Sequence, residues 1–187
     1  RPAGEVALMS FVAALALHDA LTAWVPAAAL SLKWPNDVLL HGRKVAGILL
    51  ETAGSGARVR WISVGIGINL TSAPAPETLE DGAVPPIALA EAGPWPRFED
   101  PAHEAEVLLA HLAHEMAKHM KIWHSTDFEP IRLMWLGKAA GRGRPITARL
   151  PQETVRGRFE TVDGQGRLVL STPDGPRAIA AADVFFG

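Results

Sequence analysis

Three short stretches between Leu30 and Asn69 limit what this chain can fold into. They are Leu32-Lys33-Trp34-Pro35-Asn36-Asp37, then Lys44 to Glu51 (KVAGILLE), then Val64 to Asn69 (VGIGIN). Each has the apolar residues of a strand, and each also carries charge, an amide or bare glycine where a plain strand would carry packing side chains. His41-Gly42 sits between the first two as a two-residue turn, so 37–40 and 43–51 are expected to pair as a hairpin. In that register Leu39 faces Lys44, and Asp37 is the diagonal neighbour of Lys44, a backbone separation of about 7–8 Å that long side chains bridge. Lys33 has the strand parity of Asp37, so Lys33, Asp37 and Lys44 are expected on one face, with Asn36 at the proline kink. Two crowded ammonium groups repel unless an anion sits between them, and a phosphate or carboxylate ligand would relieve that. An exposed hairpin with an ordinary Asp–Lys pair, worth under about 1 kcal/mol, fits the charge spacing equally well.

The third stretch alternates. Val64, Ile66 and Ile68 share a face suited to a core, while Gly65, Gly67 and Asn69 share the other. Two positions without side chains expose a strip of backbone on which a flat ligand can lie, with Asn69 at its rim offering donor and acceptor. A bulge, or a helix packed hard on the strand, is the alternative. The pattern is not a dinucleotide fingerprint, because its third glycine would fall on Leu70.

Around these strands, residues 5–24 lack Gly and Pro and read as a buried helix. Strands are expected at 30–34, interrupted by Pro35, and at 58–68. A proline-rich loop at 73–86 leads to a short helix near 87–92, and a second loop contains Pro94, Pro96 and Pro101. Helices at 101–123 and 127–137 follow from apolar spacing of three and four. From 144 onward short strands at 145–150, 154–162, 167–172 and 176–181 alternate with turns such as Asp163-Gly164 and Asp174-Gly175. The expected fold class is α+β: a mixed sheet packed with helices over 1–138, followed by a small β-barrel over 139–187.

At 187 residues and 48% hydrophobic the chain can bury one sizeable core with a small appended unit. It has no cysteine, which excludes disulfides and thiolate metal sites and suits a reducing compartment. The richest apolar run, Val6 to Leu17, is too short to span a bilayer, so a cytoplasmic protein is expected and a membrane partner is not. Residues 138–187 carry 8 basic against 5 acidic residues, a mild excess that gives nucleic-acid binding little support. His111, His114 and His119 lie on a helix without a HExxH frame and read as solvated, not metal-binding. Gly141-Arg142-Gly143-Arg144 reads as a helix-terminating cap with solvated arginines. Neither a nucleophile elbow nor a P-loop is visible.

LKWPNDVLL, GRKVAGILLE and VGIGINL, in this order and spacing, resemble the catalytic domain of bacterial biotin–protein ligases. The opening helix LMSFVAALALHDAL resembles the helix after that family's biotin loop, and the tail from Pro145 through Gly157-Arg158-Phe159 to Asp183-Val184 resembles its SH3-like C-terminal barrel. Nearly the whole chain is covered. The resemblance implies a class II synthetase-like catalytic domain that joins biotin to one lysine of a biotin carboxyl carrier domain. The biotin carboxylate attacks the α-phosphorus of ATP to give biotinyl-5′-AMP and pyrophosphate, and the carrier lysine then displaces AMP.

By that resemblance Lys44 is the main catalytic lysine, and Asp37 helps orient or deprotonate the incoming lysine. Lys33 supports the phosphates, and Asn36 positions the nucleotide together with Mg²⁺. Trp34, Gly47, Gly65 and Gly67 line the biotin and adenylate site, and Asn69 binds near the nucleotide. ATP, Mg²⁺ and biotin are therefore the expected small molecules, and a homodimer is allowed for. The family's glycine/arginine biotin loop should precede the opening helix, so the catalytic unit is expected to be N-terminally incomplete. Where some members place an adenine-stacking Trp, this chain has Pro86. The alternatives are a lipoate-ligase-like acyl-adenylate transferase and a non-catalytic adenylate- or carrier-binding relative.

Overall fold

The computed structural model describes residues 3–55, 58–75, 82–92 and 101–186. Of the proline-rich stretches read as loops, 76–81 of the first and 93–100 of the second lie outside the described residues, while Pro101, read as part of the second, opens a helix. The chain begins with a one-turn helix α1 (Ala3–Val6) and a central helix α2 (Met9–Leu21), of which every residue except Asp19 is buried. A helix apolar on all sides belongs inside a protein, and α2 packs against the first sheet and two later helices. The single helix expected over 5–24 is thus interrupted at Ala7-Leu8, and a turn ahead of Val25-Pro26 ends it, since a residue before proline avoids the helical region.

A four-stranded sheet follows in the order β1-β2-β3-β4: β1 (Leu30–Lys33), β2 (Asp37–Leu40), β3 (Arg43–Ser55) and β4 (Arg58–Ile68). All neighbours are antiparallel, and two isolated parallel bridges, Leu32 with Ala139 and Lys44 with Pro86, tie segments outside the strands to it. β1 and β2 are not one interrupted strand. They form a tight hairpin whose turn is Trp34-Pro35-Asn36, with a cis Trp34–Pro35 peptide. His41-Gly42 closes the next hairpin with φ of 51° and 74°, as a type I′ turn requires.

One face of the sheet carries Leu32, Val38, Ala46, Ile48, Leu50, Val64, Ile66 and Ile68 into the main core. The short helix α3 (Leu89–Ala92), the long helix α4 (Pro101–Ser125) and α5 (Glu129–Leu136) complete the helical layer. Phe11 of α2 meets Phe128 and Trp135 edge-on at 5.3 and 5.1 Å between ring centroids, which joins α2 to α5.

The last fifty residues form a five-stranded antiparallel sheet in the order β8-β7-β6-β5-β9. Its strands are β5 (Pro145–Arg149), β6 (Thr154–Val162), β7 (Leu168–Thr172), β8 (Gly175–Ile179) and β9 (Asp183–Phe186). Ile146, Ala148, Phe159, Val162, Leu168, Leu170 and Val184 fill its inner face. β9 was not among the expected strands: four residues at a chain end, DVFF, are too few for alternation to register. Gly141 and Gly143 take positive φ where α5 gives way to β5. A Cβ at Gly141 would lie 2.6 Å from the Phe186 ring, so the Gly-Arg repeat is a structural corner with exposed arginines, while the helix cap expected there falls on Gly137 instead.

Candidate functional site

The β1–β2 hairpin places Lys33 directly opposite Asp37. The two share a face because they are cross-strand partners, a firmer cause than parity across a kink. On the next strand Leu39 pairs with Lys44, as expected, while Asp37 pairs with Gly47. Both pairings cannot hold in a regular ladder. The register shifts between Val38 and Leu39, leaving one extra residue, Val45, in β3. This bulge brings Lys44 and Gly47, three residues apart, onto the face of Asp37.

The Asp37 carboxylate holds both lysines, with the Lys44 Nζ at 2.6 Å from Oδ1 and the Lys33 Nζ at 3.3 Å from Oδ2. Asp37 and Lys33 are nearly buried, whereas the Lys44 side chain keeps 42% of its exposure, so its ammonium remains reachable. The anion expected between the two lysines is, in the free protein, Asp37 itself. The group still carries a net positive charge and can attract a second anion. Gly47 lies beneath it: a Cβ there would come within 3.3 Å of Lys44 Cε and Nζ and 3.5 Å of Asp37 Oδ1.

Gly47 pairs with Gly67, and Leu49 with Gly65, on the outer face of β3–β4. Gly65 and Gly67 are exposed, and nothing lies within 4 Å of a Cβ built on Gly67. A bare strip of backbone therefore runs from the lysine pair outward, beside exposed Leu49 and Trp61. Among the described residues no helix covers it, so the close-packed-helix alternative does not apply to these glycines.

Two cavities meet at Pro35 and Asn36. The larger, about 830 Å³, is lined by Lys33, Asp37 and Lys44 on one side, and by Arg149, Leu150, Pro151 and Ala181–Asp183 of the C-terminal sheet on the other. The smaller, about 380 Å³, is apolar, with Val6, Ala7, Ile48, Leu49, Leu50 and Val59 in its wall. The wall from the C-terminal sheet was not foreseen. Arg149 reads in sequence as one of many alternating strand residues, and only the fold aims that strand's end at the lysines. The Arg149 guanidinium lies over the Phe185 ring at 4.5 Å, which fixes a third cation at this cleft.

The other expected site residues are placed differently. Asn36 Nδ2 donates to the Ile48 carbonyl at 2.7 Å, and the Asn36 carbonyl accepts from Ile48 N–H at 2.9 Å, so Asn36 is tied to β3 at the divide between the cavities. Trp34 is buried at 2% exposure, and its indole N–H donates to the Gly166 carbonyl at 3.0 Å. It joins the hairpin turn to the C-terminal sheet and lines neither cavity. Asn69 also lines neither; its Nδ2 donates to the carbonyls of Lys44 and Ile87 at 3.3 and 3.2 Å. Pro86 lies beside Lys44 in backbone pairing.

One titratable cluster outside the cleft corrects an expectation. His119, read as solvated, is 2% exposed, and its Nε2 lies 2.9 Å from Asp19 Oδ2, while buried His18 lies 2.9 Å from the other oxygen and Lys138 at 3.4 Å. Burial alone would raise the Asp19 pKa. Hydrogen bonds from His119 and His18, with the Lys138 charge, instead hold it far below the usual carboxylate range. Asp19, Glu115 and His119 also stand close enough to hold a cation. A metal-bound histidine normally donates its other ring nitrogen, but His119 Nδ1 is buried without a partner, and Lys138 and Lys118 already neutralise the carboxylates. The cluster is a structural hub between α2, α4 and the segment after α5.

Residues 4–69 match the biotin/lipoate A/B protein ligase family, and residues 142–187 match the biotin protein ligase C-terminal domain family. A biotin–[acetyl-CoA-carboxylase] ligase of Paracoccus denitrificans is 48% identical over 191 residues, spanning 100% of this chain and 77% of that protein. A bifunctional ligase/repressor of Bacillus subtilis is 34% identical over 158 residues, spanning 83% of this chain and 46% of that protein. Among solved structures, a biotin protein ligase from Aquifex aeolicus in complex with biotin and ATP is alike at a TM-score of 0.71 and 22% identity, covering 97% of this chain and 72% of that one. At that identity the likeness concerns the fold.

Proposed function

This chain belongs to the biotin protein ligase family, and from that premise we propose that it ligates biotin to a lysine of a biotin carboxyl carrier domain at the expense of ATP. In the first step a biotin carboxylate oxygen bonds to the α-phosphorus and pyrophosphate leaves. In the second, the carrier lysine amine bonds to the biotinyl carbonyl, AMP leaves, and the amine gives up a proton. The observation that carries the reading is the Lys44–Asp37–Lys33 group set over a side-chain-free strip. Two anions must meet in the first step, and preset positive charge offsets their repulsion and the charge of the transition state.

In this reading Lys44 swings from Asp37 to the carboxylate and α-phosphate, and Lys33 stays with Asp37. Both Asp37 oxygens hold ammonium groups, which suits a holder of the catalytic lysines better than a base for the incoming one. Biotin's rings occupy the apolar cavity and the strip over Gly47, Gly65 and Gly67, while the nucleotide phosphates lie in the charged cleft within reach of Arg149. Mg²⁺ binds with one or two protein oxygens plus phosphates and waters. The amide oxygen of Asn36 and the Asp183 carboxylate, both at the cleft, fit a metal that arrives on the nucleotide, where it would neutralise phosphate charge.

We read the chain as two units, 1–138 and 139–187, with the cleft between them. A reaction that consumes ATP and a carrier domain supports a cytoplasmic reading, and among the described residues no helix is long and apolar enough to cross a membrane. β4 is an edge of its sheet, a strand on which a second copy can pair, so a homodimer belongs to the reading and is checked by sedimentation equilibrium. The test of function is incubation with ATP, Mg²⁺, biotin and a carrier domain. A carrier mass increase of one biotinyl group with AMP and pyrophosphate released is expected; transfer of lipoate instead, or neither product, overturns the reading.

A further inference from the structure

We propose that Phe185 is a positioning residue for the nucleotide, holding the Arg149 guanidinium on one side of the cleft and bracing the backbone beside Lys44 on the other. The inference deepens the ligase reading, in which Arg149 reaches the phosphates, and rests on it. Along β9 the buried Val184 points into the C-terminal sheet's core, so Asp183 and Phe185 share its outer face. There they pair with Arg149 and Thr147 of β5. Arg149 and Phe185 are therefore diagonal neighbours, a spacing that a long side chain spans. The Arg149 guanidinium takes up that position, 4.5 Å from the ring centroid. An arginine at a strand end has many rotamers open to it, and the negative face of a ring favours those that lay the cation on it. Arg149 also lines the cleft together with Lys33, Asp37 and Lys44, so the ring decides where in that wall the charge stands.

The ring has a second neighbour. Gly82 adopts a φ of +81°, and a Cβ there would lie 3.3 Å from Phe185 Cδ1, so the ring lies close against the Gly82 backbone. Further along the same segment the chain joins the catalytic strand: Lys44 N–H donates to the Pro85 carbonyl at 2.8 Å, and Ile87 N–H donates to the Lys44 carbonyl at 2.9 Å. One side chain thus meets the cation of one wall and the backbone that runs to the lysine of the other. Leucine at 185 would keep apolar bulk against Gly82 but offer Arg149 no π face, whereas tyrosine would keep the face. Those two substitutions separate the placing of charge from packing alone.

The experiment follows pyrophosphate release against ATP concentration, at saturating biotin and Mg²⁺, in the parent, Phe185→Leu, Phe185→Tyr and Arg149→Met. Phe185→Leu should raise KM for ATP by roughly 2- to 5-fold, the range a partly exposed cation–ring contact supports. Its kcat and KM for biotin should stay near the parent's, as for an interaction made equally before and in the transition state. Phe185→Tyr should restore most of the parent KM. Arg149→Met, which removes the charge and keeps the stem, should raise KM for ATP at least as much as Phe185→Leu. In that background Phe185→Leu should add nothing, a coupling that a double-mutant cycle measures. Should Phe185→Leu fail to fold, Phe185→Met, which also lacks a π face, replaces it in the cycle. A parent-like KM for ATP without the ring, an equal rise in Phe185→Tyr, or a loss that adds to that of Arg149→Met overturns the proposal while the ligase reading stands. An inactive parent chain overturns both.

Discussion

Asp37 accepts an ammonium group on each oxygen, so it has no neutral substitute. Asp37→Asn leaves Lys33 nearly buried beside an uncharged amide, and stability should fall by about 1–3 kcal/mol in urea titrations at pH 7. Lys44→Ala removes a half-exposed side chain, so the fold should persist while pyrophosphate release drops at least about a hundredfold. Asp19 offers a pH-dependent counterpart. Its folded pKa lies below the unfolded value near 3.8, so its stabilisation is complete above about pH 5 and fades as pH falls further toward the folded pKa. Asp19→Asn should therefore cost about 2 kcal/mol at pH 7, with a gap from the parent that narrows only below about pH 4 in urea melts across the acid range.

Among elements, β3 and β4 were the most legible and β3 also hid the most. The His41-Gly42 turn and the Leu39–Lys44 pairing follow from turn chemistry and period-two alternation, and both hold. The bulge at Val45 did not announce itself, because Val45 and Ala46 are both small apolar residues that suit either face. The β1–β2 hairpin was hidden by its three-residue Trp-Pro-Asn turn, which local rules read as an interruption of one strand. The Asn69 amide and the Trp34 indole were legible as polar groups, but which atoms they bond depends on partners 18 to 132 residues away along the chain. The bare strip has its own test. Space is open above Gly67, so Gly67→Val should leave Tm equal or slightly raised through strand propensity, while KM for biotin rises several-fold or more in the ligation assay. The same change at Gly47 would press on Lys44 and Asp37 and should cost stability as well.

For the whole molecule, a short line of contacts helps join the two sheets. Asp163 accepts from the backbone N–H groups of Gln165 and Arg167 and from the Arg167 guanidinium, ordering the β6–β7 turn. The Gly166 carbonyl in that turn takes the Trp34 indole, and Trp34 begins the turn that carries Asn36 into the cleft. Gly166 adopts a φ of +77°, and a Cβ there would sit 2.8 Å from Leu8 Cδ2 and 3.0 Å from the Phe11 ring. Gly166→Ala should therefore lower Tm by several degrees and weaken ligation, although it lies far along the chain from every reacting group; calorimetry with the carrier mass assay checks both. The extra residue in β3 has a consequence for how such a gene can change. Losing a single codon between Lys44 and Gly47 would even out the ladder and leave the lysine on its side of the sheet, still opposite Leu39, while removing the bend that the surplus residue imposes. Such a loss would keep the ammonium's side and change its aim.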